Sequence, residues 1–167
     1  MEVSSGIPWI KPDGLNGISA PAVASELLSA HEAESVGIVA AGAILICGIG
    51  ATIGKYGFTS SPVAMNQQIH AVVFGHRFVG AFGRLVGPII GLAAKRVANA
   101  ATLPICNKSQ LGEILVPVPP KAEQEEIARF VYRETARIDT LTDKVREAID
   151  RLREYRTALI SAAVTGK

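Results

Sequence analysis

Cysteine is scarce in this chain of 167 residues, which has only Cys47 and Cys106. Each lies in an apolar stretch, and neither belongs to a Cys-x-x-Cys or Cys/His spacing. The sequence therefore predicts neither a disulfide framework nor a metal site. A reducing compartment suits this usage, so we expect a cytoplasmic protein.

A clear excess of either charge is also lacking. The 17 Lys and Arg residues nearly balance the 15 Asp and Glu residues, which leaves a formal net charge of +2. A self-sufficient DNA-binding protein usually carries a denser basic face. Net charge alone therefore neither indicates nor excludes a nucleic-acid partner.

Residue groups typical of catalytic sites are missing as well. His31, His70 and His76 have no cysteine or Gly-x-Ser-x-Gly motif near them in the sequence. The first 120 residues also lack the adjacent acids of nucleases, and the Asn-Pro-Pro-Tyr-like loop of adenine methyltransferases is absent from the sequence. We expect no catalytic residues and no cofactor bound by this chain itself.

A glycine-rich stretch at residues 48–55, Gly-Ile-Gly-Ala-Thr-Ile-Gly-Lys, invites a phosphate-loop interpretation. A Walker A loop needs glycine at position 49 and serine or threonine at position 56, where this chain has Ile49 and Tyr56. The dinucleotide fingerprint needs its third glycine at position 53, but Gly54 comes one residue late. A tight turn between strands is favoured, and a contact from Lys55 to a DNA phosphate remains the alternative.

Residues 35–54 form a run without any charge, long enough for a membrane-spanning helix. Five glycines and several β-branched residues interrupt the run, and no aromatic belt flanks it. Two buried strands joined by a glycine turn are the favoured interpretation. The membrane helix remains the alternative.

The first 118 residues alternate short apolar runs with glycine, proline, serine and asparagine, which is typical of a mixed domain. Strands are predicted at residues 36–40, 43–47, 70–74 and 114–118, and helices around residues 21–31 and 79–100. The predicted class is α+β, a small β-rich domain with glycine turns followed by one long helix.

That helix is predicted over residues 121–164, which contain neither glycine nor proline. Its core positions repeat every seven residues: Val131, Ile138, Val145, Leu152 and Leu159 at one position, and Ile127, Glu134, Leu141, Ala148, Tyr155 and Ala162 at the other. The predicted coiled-coil interface is Val131, Ile138, Leu141, Val145, Leu152, Tyr155 and Leu159. Packing against its own domain is the alternative that periodicity leaves open.

Polar residues that suit DNA contacts are scattered through the first domain. Asn66, Gln67 and Gln68 carry amides that can bond adenine, although a turn whose amides bond the loop backbone explains them as well. Cations, including Arg84, could contact phosphates or simply be solvated. The predicted DNA-contact residues are Lys55, Tyr56, Asn66, Gln67, Gln68, Arg77, Lys95 and Arg96.

Several motifs together resemble one family. Residues 116–128 read Val-Pro-Val-Pro-Pro-Lys-Ala-Glu-Gln-Glu-Glu-Ile-Ala, and Thr-Ala-Arg-Ile-Asp follows at residues 135–139. The chain ends Ala-Val-Thr-Gly-Lys, and weaker matches lie at residues 6–12, 42–55, 66–68 and 101–105. This set resembles the specificity subunits of type I restriction-modification enzymes.

The resemblance implies a division of labour. Residues 1–118 would be a target recognition domain, incomplete at its N-terminus, and residues 119–167 a coiled-coil spacer helix. Such a module reads one half of a split target in double-stranded DNA and docks methyltransferase and restriction subunits, on which S-adenosylmethionine, ATP and magnesium are expected. The spacer implies a second recognition-domain/helix unit, which a homodimer would supply, and no membrane. The alternative is a remnant that acts only through its coiled coil.

Overall fold

The computed structural model describes residues 6–98 and 103–166. Two compact units make up the chain, Met1–Glu125 and Glu126–Lys167. The first unit mixes strands and helices, and the second continues a single long helix, so the predicted α+β class is confirmed. The predicted assignment of functions to residues 1–118 and 119–167 stays a prediction.

In the described part of the first unit, seven short strands build two sheets. The strands are β1 (Ile7–Ile10), β2 (Glu26–Leu28), β3 (Ile38–Val39), β4 (Ile44–Cys47), β5 (Tyr56–Phe58), β6 (Val63–Met65) and β7 (Ile69–Val72). The first sheet has the order β2-β1-β6-β3, in which β1 and β6 are parallel and the other pairs antiparallel. The second has the antiparallel order β5-β4-β7.

The hydrophobic core joins the two sheets. Strand β4 is buried along its whole length, as its run Ile-Leu-Ile-Cys predicts for a central strand. Leu45 and Cys47 from this strand pack in one cluster with Ile10 and Val63 of the first sheet. Because β1, β4 and β6 share this core, the loops that follow them are held by the same packed interior.

The described residues also form four α-helices: α1 (Ala30–Val36), α2 (Gly80–Val97), α3 (Lys108–Gly112) and α4 (Lys121–Thr165). Helix α2 packs on β4 and β5 through two glycines spaced one turn apart, Gly87 and Gly91. A Cβ atom added at Gly87 would lie 3.1 Å from Tyr56 Cδ2. The missing side chains let the sheet approach the helix backbone closely.

The predicted strands at 43–47 and 70–74 and the helix at 79–100 are confirmed as β4, β7 and α2, although residues 99–102 lie outside the described part. The strand predicted at 36–40 is shorter, because α1 continues to Val36 and Gly37 turns the chain with a φ of 89°. The helix predicted at 21–31 is wrong. Residues 26–28 pair with β1, and Ser29 starts α1 by forming a capping box with Glu32.

The strand predicted at 114–118 is also wrong. These residues have no regular secondary structure, and Leu115 is 93% exposed. Pro117 and Pro119 lack the N–H group that a strand ladder needs, and this explains the error.

The uncharged run at residues 35–54 is divided among several elements. It includes the end of α1, the strands β3 and β4, and a 3-10 turn at Gly50–Thr52. Strand β4 is buried as predicted, but β3 is partly exposed and belongs to the other sheet. Within residues 6–98 and 103–166, no helix is both long enough and apolar enough to cross a membrane.

Helix α4 extends over Lys121–Thr165, which confirms the long helix predicted from residue 121. Its 45 residues span about 68 Å at the usual rise per residue. Within the second unit, the predicted interface residues from Ile138 to Leu159 are all more than half exposed. The coiled-coil partner itself stays a prediction.

Gln124, in the first turn of α4, is a fully buried polar residue. Its Oε1 accepts a hydrogen bond from the Val79 N–H at 2.8 Å, and its Nε2 donates to the Arg77 and Pro119 carbonyls at 2.9 and 2.8 Å. Val79 is the N-cap of α2 and has no side-chain cap of its own. In a capping box, the side chain of the third helical residue accepts the N–H of the N-cap residue. Here Gln124, from a different helix, accepts the Val79 N–H instead.

Replacing this amide should weaken the first unit. Gln124→Leu leaves the Val79 N–H and two carbonyls without their partner, so we expect a loss of about 2 to 4 kcal/mol in the free energy of unfolding. Urea titration followed by Trp9 fluorescence measures it, because Trp9 is the sole tryptophan. Gln67→Leu at an exposed turn is the control and should change stability by less than about 0.5 kcal/mol. Equal stability of both variants would contradict this role of Gln124.

Candidate nucleic-acid interface

Three loops of the first unit meet beside the carboxyl ends of β1, β4 and β6. They are residues 11–14, which follow β1, residues 48–55, which join β4 to β5, and residues 66–68, which join β6 to β7. We call them the loop cluster. Long-range pairing brings them together, since β1 and β6 lie parallel with Ile10 opposite Met65.

Hydrogen bonds tie the three loops to one another. The Asn66 N–H donates to the Ile10 carbonyl at 2.9 Å, and the Gly48 N–H donates to the Gln68 carbonyl at 2.8 Å. The Lys55 ammonium donates to the Asp13 carbonyl at 3.0 Å. The loop cluster is therefore a connected surface rather than three independent turns.

The glycine-rich loop connects two antiparallel strands, and the predicted tight turn is confirmed. The Gly54 N–H donates to the Cys47 carbonyl, and the Cys47 N–H donates to the Lys55 carbonyl, both at 2.8 Å. Gly54 has a φ of 77°, which disfavours any residue with a side chain. A Cβ atom there would also lie 2.2 Å from the Gly91 carbonyl oxygen of α2.

This close approach brings the end of α2 to the loop cluster. Lys95 and Arg96 lie exposed in the last turn of the helix, where cations also complement the helix dipole. The aliphatic stem of Lys95 passes beside Gly54. Lys95, Lys55 and Tyr56 line a shallow cleft of about 330 Å³.

The charge of this surface is modestly basic. Lys11 forms an ion pair with Glu26, so its charge is largely compensated. Lys55, Lys95 and Arg96 then outnumber the exposed carboxylate of Asp13. An ammonium group has three donors, and one bond from Lys55 to a carbonyl leaves two for a phosphate.

Amides predicted to read bases lie at the β6–β7 turn. The Asn66 Oδ1 accepts the Gln68 N–H at 2.8 Å, so this amide oxygen stabilises the turn, as the alternative interpretation proposed. The side chains of Gln67 and Gln68 are exposed. Whether any of these residues contacts DNA stays a prediction.

Arg77 lies apart from the other candidates. It precedes α2, whereas Lys95 and Arg96 end it, and the 18 residues of this helix span about 27 Å. Arg84 lies within α2 with its guanidinium 4.3 Å from the centre of the Phe58 ring, a cation–π contact inside the first unit. The structure thus gathers Lys55, Tyr56 and Lys95 at one cleft, with Arg96 next to Lys95 in the chain, and separates Arg77 from them.

The sequence did not predict the structural role of Gln124, nor the hydrogen bond that the Asp13 carbonyl accepts from Lys55. Gln124 could have been noticed, because it lies three and seven residues before Ile127 and Val131 on the predicted apolar face. The Asp13 carbonyl had no such signal, since any residue type provides a backbone oxygen.

Other surfaces offer less for a nucleic acid. An apolar groove of about 630 Å³ runs beside β7 and is lined by residues such as Phe74, Phe78 and Val116, with none of the predicted DNA-contact residues. In the part of the chain that the structure describes, no three His, Cys, Asp or Glu residues come together to hold a metal ion.

Comparison with known proteins relates this chain to one protein family. The family model for the type I restriction modification DNA specificity domain matches residues 2–151. The chain is 34% identical over 74 residues to the type I restriction enzyme EcoDI specificity subunit of Escherichia coli, which covers 44% of this chain and 17% of that protein. It is 26% identical over 128 residues to the type I restriction enzyme EcoBI specificity subunit of the same organism, and this match covers 74% of this chain and 26% of that protein.

A solved structure agrees at the level of the fold. A chain from a study of complex assembly and conformational transition in a type I restriction-modification system superposes with a TM-score of 0.72 at 16% identity, over 96% of this chain and 39% of that one. The architecture is that of a specificity module, a mixed domain followed by a long helix. The chain belongs to the type I restriction-modification DNA specificity domain family. It spans well under half the length of these relatives.

The contact between Gly54 and Gly91 should be intolerant of a methyl group. In Gly91→Ala the new Cβ would lie 2.3 Å from the Gly54 carbonyl oxygen, so the helix or the loop must shift. We expect a loss of at least about 2 kcal/mol in unfolding free energy, measured by urea titration. Gly80→Ala in the same helix meets nothing within 4 Å and should stabilise by about 0.5 to 1 kcal/mol. Similar midpoints for both variants would contradict the close approach.

Proposed function

We propose that this chain reads one half of a split DNA target within a type I restriction-modification complex. The main support for this proposal is the family match over residues 2–151, a range that includes the loop cluster and most of α4. Exposed amides beside exposed cations suit this role, because amides can discriminate bases while cations bind phosphates. The chain itself would be non-catalytic.

Base reading is assigned to the β6–β7 turn and phosphate binding to the neighbouring cations. Gln67 and Gln68 extend from a turn that Asn66 holds by its own side chain. A fixed turn suits recognition, since less side-chain and backbone freedom is lost on binding. Lys55, Lys95 and Arg96 would fix the register on the duplex without contributing sequence preference.

Partners are part of the proposal. Methyltransferase and restriction subunits would dock on this chain and carry S-adenosylmethionine, ATP and magnesium, in the reducing cytoplasm that its cysteine usage favours. The exposed apolar stripe of α4 supports a second recognition-domain/helix unit, which a second copy of this chain would supply. A complete split target then needs two loop clusters.

One alternative keeps the helix and abandons DNA reading. The chain spans 17% and 26% of its two curated relatives, and the stripe on α4 is exposed whatever the first unit does. A remnant that acts only as a coiled-coil interaction protein would account for both facts. The two experiments below separate it from the specificity module.

Methylation in the source genome tests selectivity directly. Deleting the gene should abolish methylation at one split motif, and the wild-type gene should restore it. A gene carrying both Gln67→Ala and Gln68→Ala should restore methylation at a relaxed or altered half-site, because the proposed base contacts are gone. Arg146→Ala with Arg153→Ala, on the outer face of α4, is the matched control and should restore the original motif. Unchanged methylation after deletion would favour the interaction protein.

The salt dependence of DNA binding tests the cations. For the complex with its methyltransferase subunit, we expect Lys95→Ala with Arg96→Ala to reduce the slope of log K against log salt by about 2. The same double variant on α4, Arg146→Ala with Arg153→Ala, should leave the slope unchanged. If Arg77→Ala alone reduces the slope, the DNA-facing surface lies at the other end of α2.

A further inference from the structure

A further segment of the first unit adjoins the loop cluster. Residues 103–106 lie beside the glycine-rich loop and are bonded to its backbone at two points. The Gly50 N–H donates to the Pro104 carbonyl at 2.9 Å, and the Cys106 N–H donates to the Gly48 carbonyl at 2.8 Å. We call residues 103–106 the adjoining segment. Its position is therefore fixed by the same loop that holds the cluster together.

The adjoining segment also lies next to the turn that carries the exposed amides. Gly48 is bonded to both, because its N–H donates to the Gln68 carbonyl at 2.8 Å while its own carbonyl accepts the Cys106 N–H. The ring nitrogen Nε2 of His70, on β7, lies 3.1 Å from the Cys106 carbonyl oxygen, within hydrogen-bonding distance. The turn at residues 66–68 and the adjoining segment thus flank a single residue.

Apolar side chains reach water on this segment. Leu103 is 54% exposed and Ile105 is 39% exposed. Ile105 forms an antiparallel bridge with Ile49, so the two side chains lie on the same face. Leu103 lies beside the next residue of the loop, since its Cδ1 would be 3.8 Å from a Cβ atom added at Gly50. We call Ile49, Leu103 and Ile105 the apolar patch.

Polar groups lie on both sides of the apolar patch along the glycine-rich loop. Before it, Gly48 is bonded to the turn on which Gln68 is exposed. After it, Ala51 is the first residue of the cleft that Lys55 and Lys95 also line. The patch therefore lies between the amides to which base reading is assigned and two of the cations to which phosphate binding is assigned.

We propose that Leu103 and Ile105 contact the C5 methyl group of a thymine in the DNA half-site. This inference rests on the proposed function and adds a second kind of base contact to it. The major-groove edges of the four bases offer hydrogen-bond donors and acceptors, and the thymine methyl is the apolar group among them. Apolar side chains placed beside amides match that mixture, because contact with a methyl removes apolar surface from water on both partners.

A protein partner fits this patch less well than DNA does. Two partly exposed side chains and one half-buried one present far less area than the roughly 800 Å² that each partner contributes to a specific protein interface. The cations and amides beside the patch also match phosphates and base edges. Coverage by protein is nevertheless a distinct outcome of the test below.

Deoxyuridine substitution in the DNA tests the contact, because it removes the C5 methyl of a thymine and leaves the hydrogen-bonding edges of the base pair unchanged. The complex with the methyltransferase subunit is titrated with duplexes that carry the split motif found by methylation mapping. One thymine of the motif is replaced at a time. We expect one replacement to weaken wild-type binding about fourfold, the ratio that corresponds to burial of one methyl-sized group.

Variants assign this effect to the apolar patch. Leu103→Ala with Ile105→Ala should bind the thymine and deoxyuridine duplexes almost equally. Leu115→Ala is the matched control, because Leu115 is an exposed leucine outside the loop cluster and the adjoining segment, and it should keep the difference. If Trp9 fluorescence shows that the double variant does not fold, Leu103→Asn and Leu103→Met replace it. The asparagine variant should then lose the difference, and the methionine variant should keep it.

Three results would overturn the inference. Binding that is indifferent to every thymine methyl of a genuine split motif removes the contact and leaves the proposed function intact. A methyl effect that persists in the folded variants assigns the contact to other residues. Loss of assembly with the methyltransferase subunit in a folded variant shows that protein covers the patch. A complex without any sequence preference overturns the proposed function, and this inference with it.

Discussion

The close approach of α2 to the β4–β5 loop constrains most of the first unit. Gly54 and Gly91 present backbone to backbone at a distance that no side chain permits. This contact brings the last turn of α2 to the loop cluster, where Lys95 lies beside Lys55 and Tyr56. Packing against α2 therefore fixes the shape of the glycine loop. Its likeness to a phosphate loop has a structural origin, because both loops need glycine where the backbone closely approaches another group.

Buried polarity has a comparable role at the start of α4. In the sequence, Gln124 is the last residue of the motif Pro-Pro-x-x-Glu-Gln at residues 119–124. Its amide links the N-cap of α2, the preceding loop at Arg77 and the carbonyl of Pro119. Glutamate could accept the first bond but could not donate the other two at neutral pH, and an apolar residue could do neither. The requirement for an amide at this position thus follows from the hydrogen bonds alone.

What the sequence predicted well was local. The continuous apolar run of β4 and the heptad repeat of the glycine-free helix α4 are both signals within the segment itself, and both elements were placed to within a residue or two. The errors at residues 21–31 and 114–118 arose where tertiary pairing or prolines decided the outcome. The loop cluster could not be predicted, because it depends on the parallel pairing of β1 with β6 and on a bond to the Asp13 carbonyl. The cations were identifiable as residue types, but their grouping at one end of α2 required the fold.

The loop cluster carries only a modest positive charge. Two exposed cations, Lys95 and Arg96, and the half-buried Lys55 can release only a few counterions, whereas a protein that makes about 6 to 10 phosphate contacts releases many more. One cluster alone would therefore bind weakly at physiological salt. In the proposed function a second recognition unit would supply another loop cluster, and linking the two would raise the effective concentration of the second for its half-site, by which avidity can increase about 10² to 10⁴ without any new contact. Under that proposal, weak half-site binding would favour selectivity, because only DNA that carries both halves at the matching separation would engage both clusters.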